Sequence, residues 1–195
     1  MGTERIRCIL GQQCAPVIAG IKPSNLLIVE QGNQNGLRHA LRGTELNGYL
    51  LHRSTEKDYW LLYDPKVLRR LLTDIDRKQY LQACGYDTGD LKAVLGRLAA
   101  RFQRYKQGEA EFPHEMGVLF GYPLKDVTGF IENGGRNFKM SGYWKVYDDV
   151  TYANRIFKLY EYVKETVLGL CREGVEISDI RKQFQISGHP LPYIS

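Results

Sequence analysis

The chain has 195 residues, of which 43% are hydrophobic and 25% charged, and its formal net charge is +5. This length and these ordinary fractions predict one globular domain with enough apolar residues for a core. It contains no run of eighteen apolar residues and no basic leader followed by an apolar segment, so we expect no membrane span, no signal peptide and a cytoplasmic location. The modest positive charge permits an acidic partner without requiring one.

Four cysteines are scattered along the chain without a Cys-x-x-Cys pair. Three of them fall among helical apolar positions, which is typical of reduced thiols in a cytosolic protein. The spacing therefore favours neither a zinc site nor a disulfide framework, and we expect no metal site. The cysteines are Cys8, Cys14, Cys84 and Cys171.

The first third of the chain predicts one helix and three strands. Apolar spacing predicts a helix over residues 4–13, which the segment Cys14-Ala15-Pro16 interrupts or kinks, because proline has no N–H to donate. A continuous apolar run at residues 26–29 predicts a doubly buried strand at a central sheet position. The segments 49–53 and 59–63, separated by a polar five-residue loop, predict a β-hairpin.

The middle of the chain predicts helices. Pro65 is typical of a helix start, a second helix follows from about residue 76, and the clearest helix covers residues 88–106. The polar side of that last helix carries basic residues at four- and three-residue steps, which form a basic ridge. The ridge is a candidate site for a phosphorylated ligand, RNA or an acidic protein, although a solvated helix face is the commoner explanation. It consists of Arg97, Arg101 and Arg104.

Two short helices, started by Pro113 and Pro123 and joined at Gly121, predict a helical hairpin that is compatible with a helix-turn-helix unit. The presumed recognition helix is about as acidic as basic, whereas duplex DNA demands phosphate neutralisation by Lys and Arg. A nucleic-acid-binding regulator is therefore the weakest of our hypotheses. The polar residues of that helix are Lys125, Asp126, Thr128 and Glu132.

The last part of the chain predicts a strand followed by helices. Residues 142–147 alternate as a strand does, with Tyr143, Lys145 and Tyr147 on one side. A long helix over residues 149–171 covers the sheet, a final helix lies near 178–184, and residues 187–195 form a poorly ordered tail.

Two groups of residues are candidates for binding a ligand. Lys22 and Asn25 flank a proline in the loop before the buried strand, from which polar groups can reach a cleft, although asparagine also bonds local backbone in turns. Aromatic residues with a lysine between them resemble a stacking platform for a flat ligand, although aromatic residues are also common strand material. That second group contains Tyr122, Tyr143, Lys145 and Tyr147.

One pair of residues is a candidate for catalysis. Cys14 lies at a helix break, where backbone N–H groups favour a thiolate, and His114 is a possible base for it if the fold brings the two together. A buried inert thiol and a histidine in a first helical turn are the alternative. None of the common phosphate-loop, dinucleotide, zinc-protease or serine-hydrolase motifs is present.

Three blocks of sequence carry a family resemblance. They read CAP to AGIKPSNL in residues 14–26, FPHEMG to GYP in residues 112–123, and GYWKVY in residues 142–147. In this order they resemble an uncharacterised bacterial family, the domain of unknown function 3793, found mainly in anaerobic Firmicutes. The resemblance implies a cytoplasmic single domain without an assigned activity. It also implies a histidine before Cys14 and a cysteine before Gly142, where this chain has Gln13 and Ser141, so shared cysteine or metal chemistry is in doubt.

Together these observations predict an α+β fold, with a small mixed or antiparallel sheet of about four strands covered by helices. Residues 1–186 would form a single domain. The favoured function is a ligand-binding or regulatory module, and the alternative is an enzyme that uses Cys14 with His114. The sequence identifies neither the ligand, which would be a small molecule or an acidic partner, nor any cofactor.

Overall fold

The computed structural model describes residues 3–186, and within that range the chain folds into nine helices and five short strands. The strands are β1 (Ser24–Glu30), β2 (Asn47–Arg53), β3 (Lys57–Tyr63), β4 (Met140–Ser141) and β5 (Lys145–Val146). The helices are α1 (Thr3–Ile18), α2 (Gln34–Ala40), α3 (Pro65–Leu71), α4 (Ile75–Ala83), α5 (Leu91–Lys106), α6 (Met116–Leu119), α7 (Leu124–Glu132), α8 (Val150–Arg172) and α9 (Ile177–Ile186).

The main sheet has three antiparallel strands in the order β1-β3-β2, and β4 and β5 form a separate antiparallel pair. The predicted α+β class is confirmed, but the predicted single sheet of about four strands is instead a three-stranded antiparallel sheet and a separate two-stranded pair. The β2–β3 hairpin is also confirmed, with a three-residue loop at 54–56 instead of five residues. The tail predicted at residues 187–195 lies outside the described residues.

Helices cover both faces of the main sheet. The central strand β3 sends Trp60 and Leu62 into a core that it shares with α1, α8 and α9, and it sends Leu61 into a second core with α3 to α7. This alternation follows from the two-residue period of a strand, which points successive side chains to opposite faces. None of the helices within residues 3–186 is long and apolar enough to cross a membrane.

The predicted central position of the strand at residues 26–29 is wrong, because β1 lies at an edge of the sheet. Its outer side is covered by α1, whose Gln13 side chain acts as a strand partner. The amide nitrogen of Gln13 donates to the carbonyl of Ile28 at 2.9 Å, and its oxygen accepts from the N–H of Ile28 at 2.8 Å. An edge strand that is covered in this way can be as apolar as a central one.

The segment Cys14-Ala15-Pro16 does not interrupt the first helix, because α1 continues through Pro16 to Ile18; the predicted kink stays a prediction. A proline inside a helix removes one backbone hydrogen bond and costs about 3 kcal/mol. Burial offsets this cost here, since Cys14, Val17 and Ile18 are all fully buried. The carbonyl of Pro16 then accepts the N–H groups of Ile21 and Lys22, which folds the following loop back against the helix.

The strand predicted at residues 142–147 is reduced to the two residues of β5, and residues 142–144 form the bend that joins it to β4. The predicted alternation holds nevertheless, because Trp144 and Val146 are buried while Tyr143, Lys145 and Tyr147 are half-buried. Before this pair, the helical hairpin consists of α6, which has only four residues, and α7, which begins directly after Pro123.

Candidate functional site

A cavity of about 390 Å³ lies between α6, α7, the segment that precedes α6, and the β4–β5 pair. All of its lining residues fall between positions 112 and 145. Its volume is within the range of small-molecule sites. Five aromatic side chains form most of its wall: Phe112, Phe120, Tyr122, Phe130 and Trp144. Four polar side chains also line it: His114, Asp126, Ser141 and Lys145.

Aromatic contacts give the cavity a flat wall. The rings of Tyr122 and Trp144 are stacked, with centroids 5.0 Å apart and an angle of 29° between their planes. Phe157 of α8 supports Trp144 from the side, at 4.5 Å and 82°. On the opposite side, the ring of His114 lies 5.5 Å from Phe112 and 5.0 Å from Phe130. Stacked and edge-on arrangements are the preferred geometries of aromatic pairs.

Asp126 on α7 positions Trp144. This carboxylate is 3% exposed, and its Oδ2 accepts a 2.7 Å hydrogen bond from the indole Nε1 of Trp144. Its Oδ1 accepts the backbone N–H groups of Tyr147 and Asp148, at 2.7 and 2.9 Å. Although Asp126 lines the cavity, three donors already occupy it, so we treat it as a support for the wall.

Lys145 brings a positive charge to the cavity. Its Nζ donates to the carbonyl of Gly135 at 2.6 Å and lies 5.5 Å from the ring centre of Phe130 and 4.9 Å from that of Phe138. A glycine suits position 135, because its φ is +72° and a Cβ there would lie 3.0 Å from the Phe130 ring and 3.4 Å from Nζ of Lys145. An ammonium group has three N–H donors, of which the Gly135 carbonyl takes one.

A second lysine lies behind the aromatic wall, outside the lining of the cavity. Lys22 is 3% exposed, and its Nζ lies 5.0 Å from the ring centres of both Phe120 and Tyr122. The same nitrogen donates to Oδ1 of Asn25. Asn25 is itself held by α1, because its Nδ2 donates to the carbonyl of Gln13 at 2.6 Å. Lys22 therefore contacts two rings that line the cavity without lining it itself.

Burial shifts the pKa values of Lys22 and of two titratable neighbours, Cys14 and Tyr122. It lowers the pKa of Lys22 to about 7, an effect that the neighbouring Cys14 opposes. It raises the pKa of the Cys14 thiol to about 12, against the opposing influence of Lys22 and a hydrogen bond from Asn25. It also raises the pKa of Tyr122 to about 12. Of these three groups, Lys22 alone changes its charge near neutral pH.

The residues predicted to bind a ligand are divided by the structure. Tyr122 and Lys145 line the cavity, and Lys22 and Asn25 lie behind its wall. Tyr143 instead packs on α8, where its hydroxyl donates to Glu161 at 2.7 Å. The residues that line the cavity but were absent from the predicted site include Phe120 and Phe130, which helical spacing assigns to ordinary apolar stripes.

Tyr147 lies beside the cavity wall, packed against Gly129 of α7. A Cβ on Gly129 would lie 2.7 Å from the Cβ of Tyr147, so the two elements approach as closely as a glycine allows. Burial raises the pKa of the Tyr147 hydroxyl above its ordinary value. Its side chain therefore belongs to the packing of α7 on β5.

Cys14 and His114 occupy different surroundings. Cys14 is fully buried on α1 beside Lys22 and Asn25, and its raised pKa keeps the thiol protonated at neutral pH. His114 lies between two phenylalanine rings in the cavity wall. Within residues 3–186 no hydrogen bond joins the two side chains, so the predicted nucleophile and base stay a prediction without geometric support.

The predicted basic ridge is not a continuous row of free cations. Arg101 forms an ion pair with Glu115, a carboxylate that is 3% exposed and also accepts the hydroxyl of Tyr86 at 2.9 Å. Arg104 lies 3.8 Å from Glu109, and both are exposed. Two of the three arginines of the ridge are therefore paired with carboxylates that lie after α5. The third, Arg97, is exposed.

In the described part of the chain, no group of three or more His, Cys, Asp or Glu side chains is placed to hold a metal ion. In comparison with known proteins, a family model described as "protein of unknown function (DUF3793)" matches residues 10–181. The match includes the whole cavity and the buried lysine behind it. No curated protein and no solved structure matches the chain.

Proposed function

The chain belongs to the DUF3793 family of proteins of unknown function, and from that premise we propose that it is a binding module for a flat, aromatic small molecule that carries an acidic group. One observation carries this proposal: a 390 Å³ cavity with a stacked Tyr122–Trp144 wall and the ammonium group of Lys145 at its lining. Aromatic walls favour a planar ring, and a lysine in largely apolar surroundings favours an anion.

Electrostatics supports an anion over a neutral or cationic ligand. Lys145 lies in the lining and Lys22 behind it, whereas the Asp126 carboxylate is occupied by Trp144, Tyr147 and Asp148. A cationic ligand would be repelled by the ammonium group of Lys145 in the lining and by that of Lys22 behind it, and the Asp126 carboxylate is already taken up by its three donors. We also propose a cytoplasmic location, because all four cysteines are free.

We favour binding over the Cys14 enzyme because a thiol with a pKa of about 12 is a poor nucleophile at neutral pH. We favour it over nucleic-acid recognition because α6 has only four residues and Lys125 of α7 is paired with Asp148 at 3.2 Å. A regulatory role would follow if ligand binding changes the affinity for a partner.

The test uses three probes of one shape and different charge: 2-naphthoate, 2-naphthylmethanol and 2-naphthylmethylammonium. Calorimetric titration should give a Kd of about 1 mM or lower for 2-naphthoate, from about 0.3 kcal/mol per non-hydrogen atom. The alcohol should bind about fivefold to tenfold more weakly, and the ammonium more weakly still. The indole N–H resonance of Trp144, assigned with a Trp60→Phe variant, should shift on binding.

Two variants locate the binding. Ser141→Phe fills the cavity from an exposed position and should abolish binding, and Lys145→Met should weaken the preference for the carboxylate. Lys92→Met, at an exposed position on α5, is the control and should bind as the wild type does. Equal affinity for the three probes, or binding that survives Ser141→Phe, would refute the proposal.

A further inference from the structure

The buried position of Lys22 is unusual for a lysine, because this side chain is almost never fully buried without a compensating partner. No carboxylate compensates it in the described part of the chain. Its partners are the amide oxygen of Asn25 and the faces of the Phe120 and Tyr122 rings. The loop that carries it is fixed as well, since Ser24 donates to the carbonyl of Leu119 at 2.7 Å.

Lys22 and the cavity share one aromatic layer. Phe120 and Tyr122 contact the ammonium group of Lys22 and also line the cavity. A charge behind an aromatic ring in an apolar region is weakly screened, so it acts on a ligand on the other face of that ring. A positive charge there favours an anion in the cavity and disfavours a cation.

Two other titratable side chains lie beside Lys22, and neither of them changes its charge near neutral pH. From α1 it faces Cys14, and from the segment after α6 it faces the ring of Tyr122, and the pKa values of the Cys14 thiol and the Tyr122 hydroxyl are both raised to about 12. From β1 it faces the neutral Asn25. Across the aromatic layer, the cavity itself contains His114, Asp126 and Lys145.

Resting on the proposed function, we propose that Lys22 is a specificity-determining residue of the cavity, which takes up a proton when an aromatic anion binds and so makes the affinity for that anion depend on pH. An anion stabilises the protonated lysine, and by reciprocity the protonated lysine stabilises the bound anion. If binding raises the pKa of Lys22 by one unit from about 7, the affinity falls about tenfold between pH 6 and pH 9.

The experiment is calorimetry with 2-naphthoate from pH 6 to pH 9, in pairs of buffers that differ in ionisation enthalpy. The carboxylate of this probe is ionised throughout the range, so it contributes no proton. The wild type should take up a fraction of a proton, with a maximum near pH 7 to 8, and the affinity should fall about tenfold as the pH rises.

Variants assign the proton. Lys22→Met should still bind 2-naphthoate, more weakly at pH 6, with no proton uptake and an affinity independent of pH. Lys22→Arg keeps the charge, so its affinity should stay near the pH 6 level of the wild type at every pH. His114→Gln alters the cavity wall and so can change the affinity, but its proton uptake per bound 2-naphthoate should equal that of the wild type, because in our proposal His114 does not supply it.

The outcomes separate this inference from the proposed function. If 2-naphthoate does not shift the Trp144 resonance at any pH, both are refuted. If it binds at Trp144 without proton uptake, or the uptake is lost in His114→Gln, the role of Lys22 is refuted and the binding module stands. If Lys22→Met does not fold, the wild type and His114→Gln still decide the question.

Discussion

Asp126 of α7 and Trp144, which precedes β5, are joined by a 2.7 Å hydrogen bond between a buried carboxylate and an indole nitrogen. The second carboxylate oxygen holds the backbone of Tyr147 and Asp148. One side chain therefore fixes the flat wall of the cavity and the chain that leaves β5 toward α8. Charge-assisted hydrogen bonds of this kind are stronger than neutral ones and costly to leave unmade.

Replacing Asp126 by Asn should destabilise the protein and loosen the wall. An amide has one oxygen and one NH₂ group, so at least one of the three donors around it would face another donor. We expect the free energy of unfolding to fall by about 2 kcal/mol, measured by urea denaturation. In a Trp60→Phe background, the emission of Trp144 should shift to the red. Glu132→Gln, an exposed change on the same helix, is the control; equal losses in both variants would contradict this interpretation.

Two helical glycines provide a matched pair for the packing of α7 on β5. Gly129→Ala would place a Cβ 2.7 Å from the Cβ of Tyr147, whereas Gly169→Ala on α8 meets nothing within 4 Å. Both changes gain the same helix propensity, about 0.5 to 1 kcal/mol. We expect Gly169→Ala to raise the free energy of unfolding by about that amount and Gly129→Ala to lower it by about 1 to 3 kcal/mol. Thermal and urea denaturation measure both changes. Equal stabilisation by the two variants would show that Gly129 of α7 is not in close contact with Tyr147.

Elements with local signals could be predicted from the sequence. The helix after Asp64-Pro65 begins where the proline indicates, and the Asp64 carboxylate accepts the N–H groups of Lys66 and Val67. The β2–β3 hairpin and the long α8 likewise follow from spacing alone. Such signals act within a few residues, so a single sequence contains them.

Relationships between distant segments could not be predicted. Both β1 and β3 are apolar, and the choice of β3 as the central strand depends on α1 placing Gln13 along the edge of β1. The cavity could not be predicted for a similar reason. Phe120 and Phe130 have the same helical spacing whether they fill a core or line a cavity. Nor does any local pattern indicate that Lys22 is buried.

The ion pair of Arg101 with buried Glu115 should matter to stability, and the neighbouring Arg104 pair should not. Arg101→Met leaves the Glu115 carboxylate buried and without its cation, and we expect a loss of about 2 kcal/mol, less than for a fully buried pair because the Arg101 side chain is 38% exposed. Arg104→Met, one turn further along α5, breaks an exposed 3.8 Å pair and should change stability by less than about 0.5 kcal/mol.

The measurement for this pair is urea denaturation at low and at high salt. The double variant Arg101→Met with Glu115→Gln should recover part of the loss, because it removes the uncompensated charge. If neither Arg101→Met nor Arg104→Met changes the free energy of unfolding, the ridge is an ordinary solvated helix face.

Replacing Lys22 by Met should change how stability depends on pH. The pKa of Lys22 is about 7 in the folded protein and 10.5 ordinarily, so between these values the unfolded chain binds more protons and the free energy of unfolding rises with pH. Cys14 acts in the opposite direction above pH 9, since its pKa of about 12 in the folded protein exceeds its ordinary value of 9.0. Between pH 7 and pH 9 the wild type should therefore gain about 2 kcal/mol that Lys22→Met does not gain.

Urea denaturation at half-unit pH steps measures this difference in slope, and Lys92→Met on exposed α5 should keep the slope of the wild type. Below pH 7, Lys22→Met should lose less stability than a variant that removes one partner of a buried ion pair. Such a variant leaves a buried charge behind, whereas Lys22→Met removes the charge itself together with its hydrogen bond to Asn25. If the free energy of unfolding of Lys22→Met rises with pH as steeply as that of the wild type, another group titrates, and the pKa of Lys22 is not lowered in the folded protein.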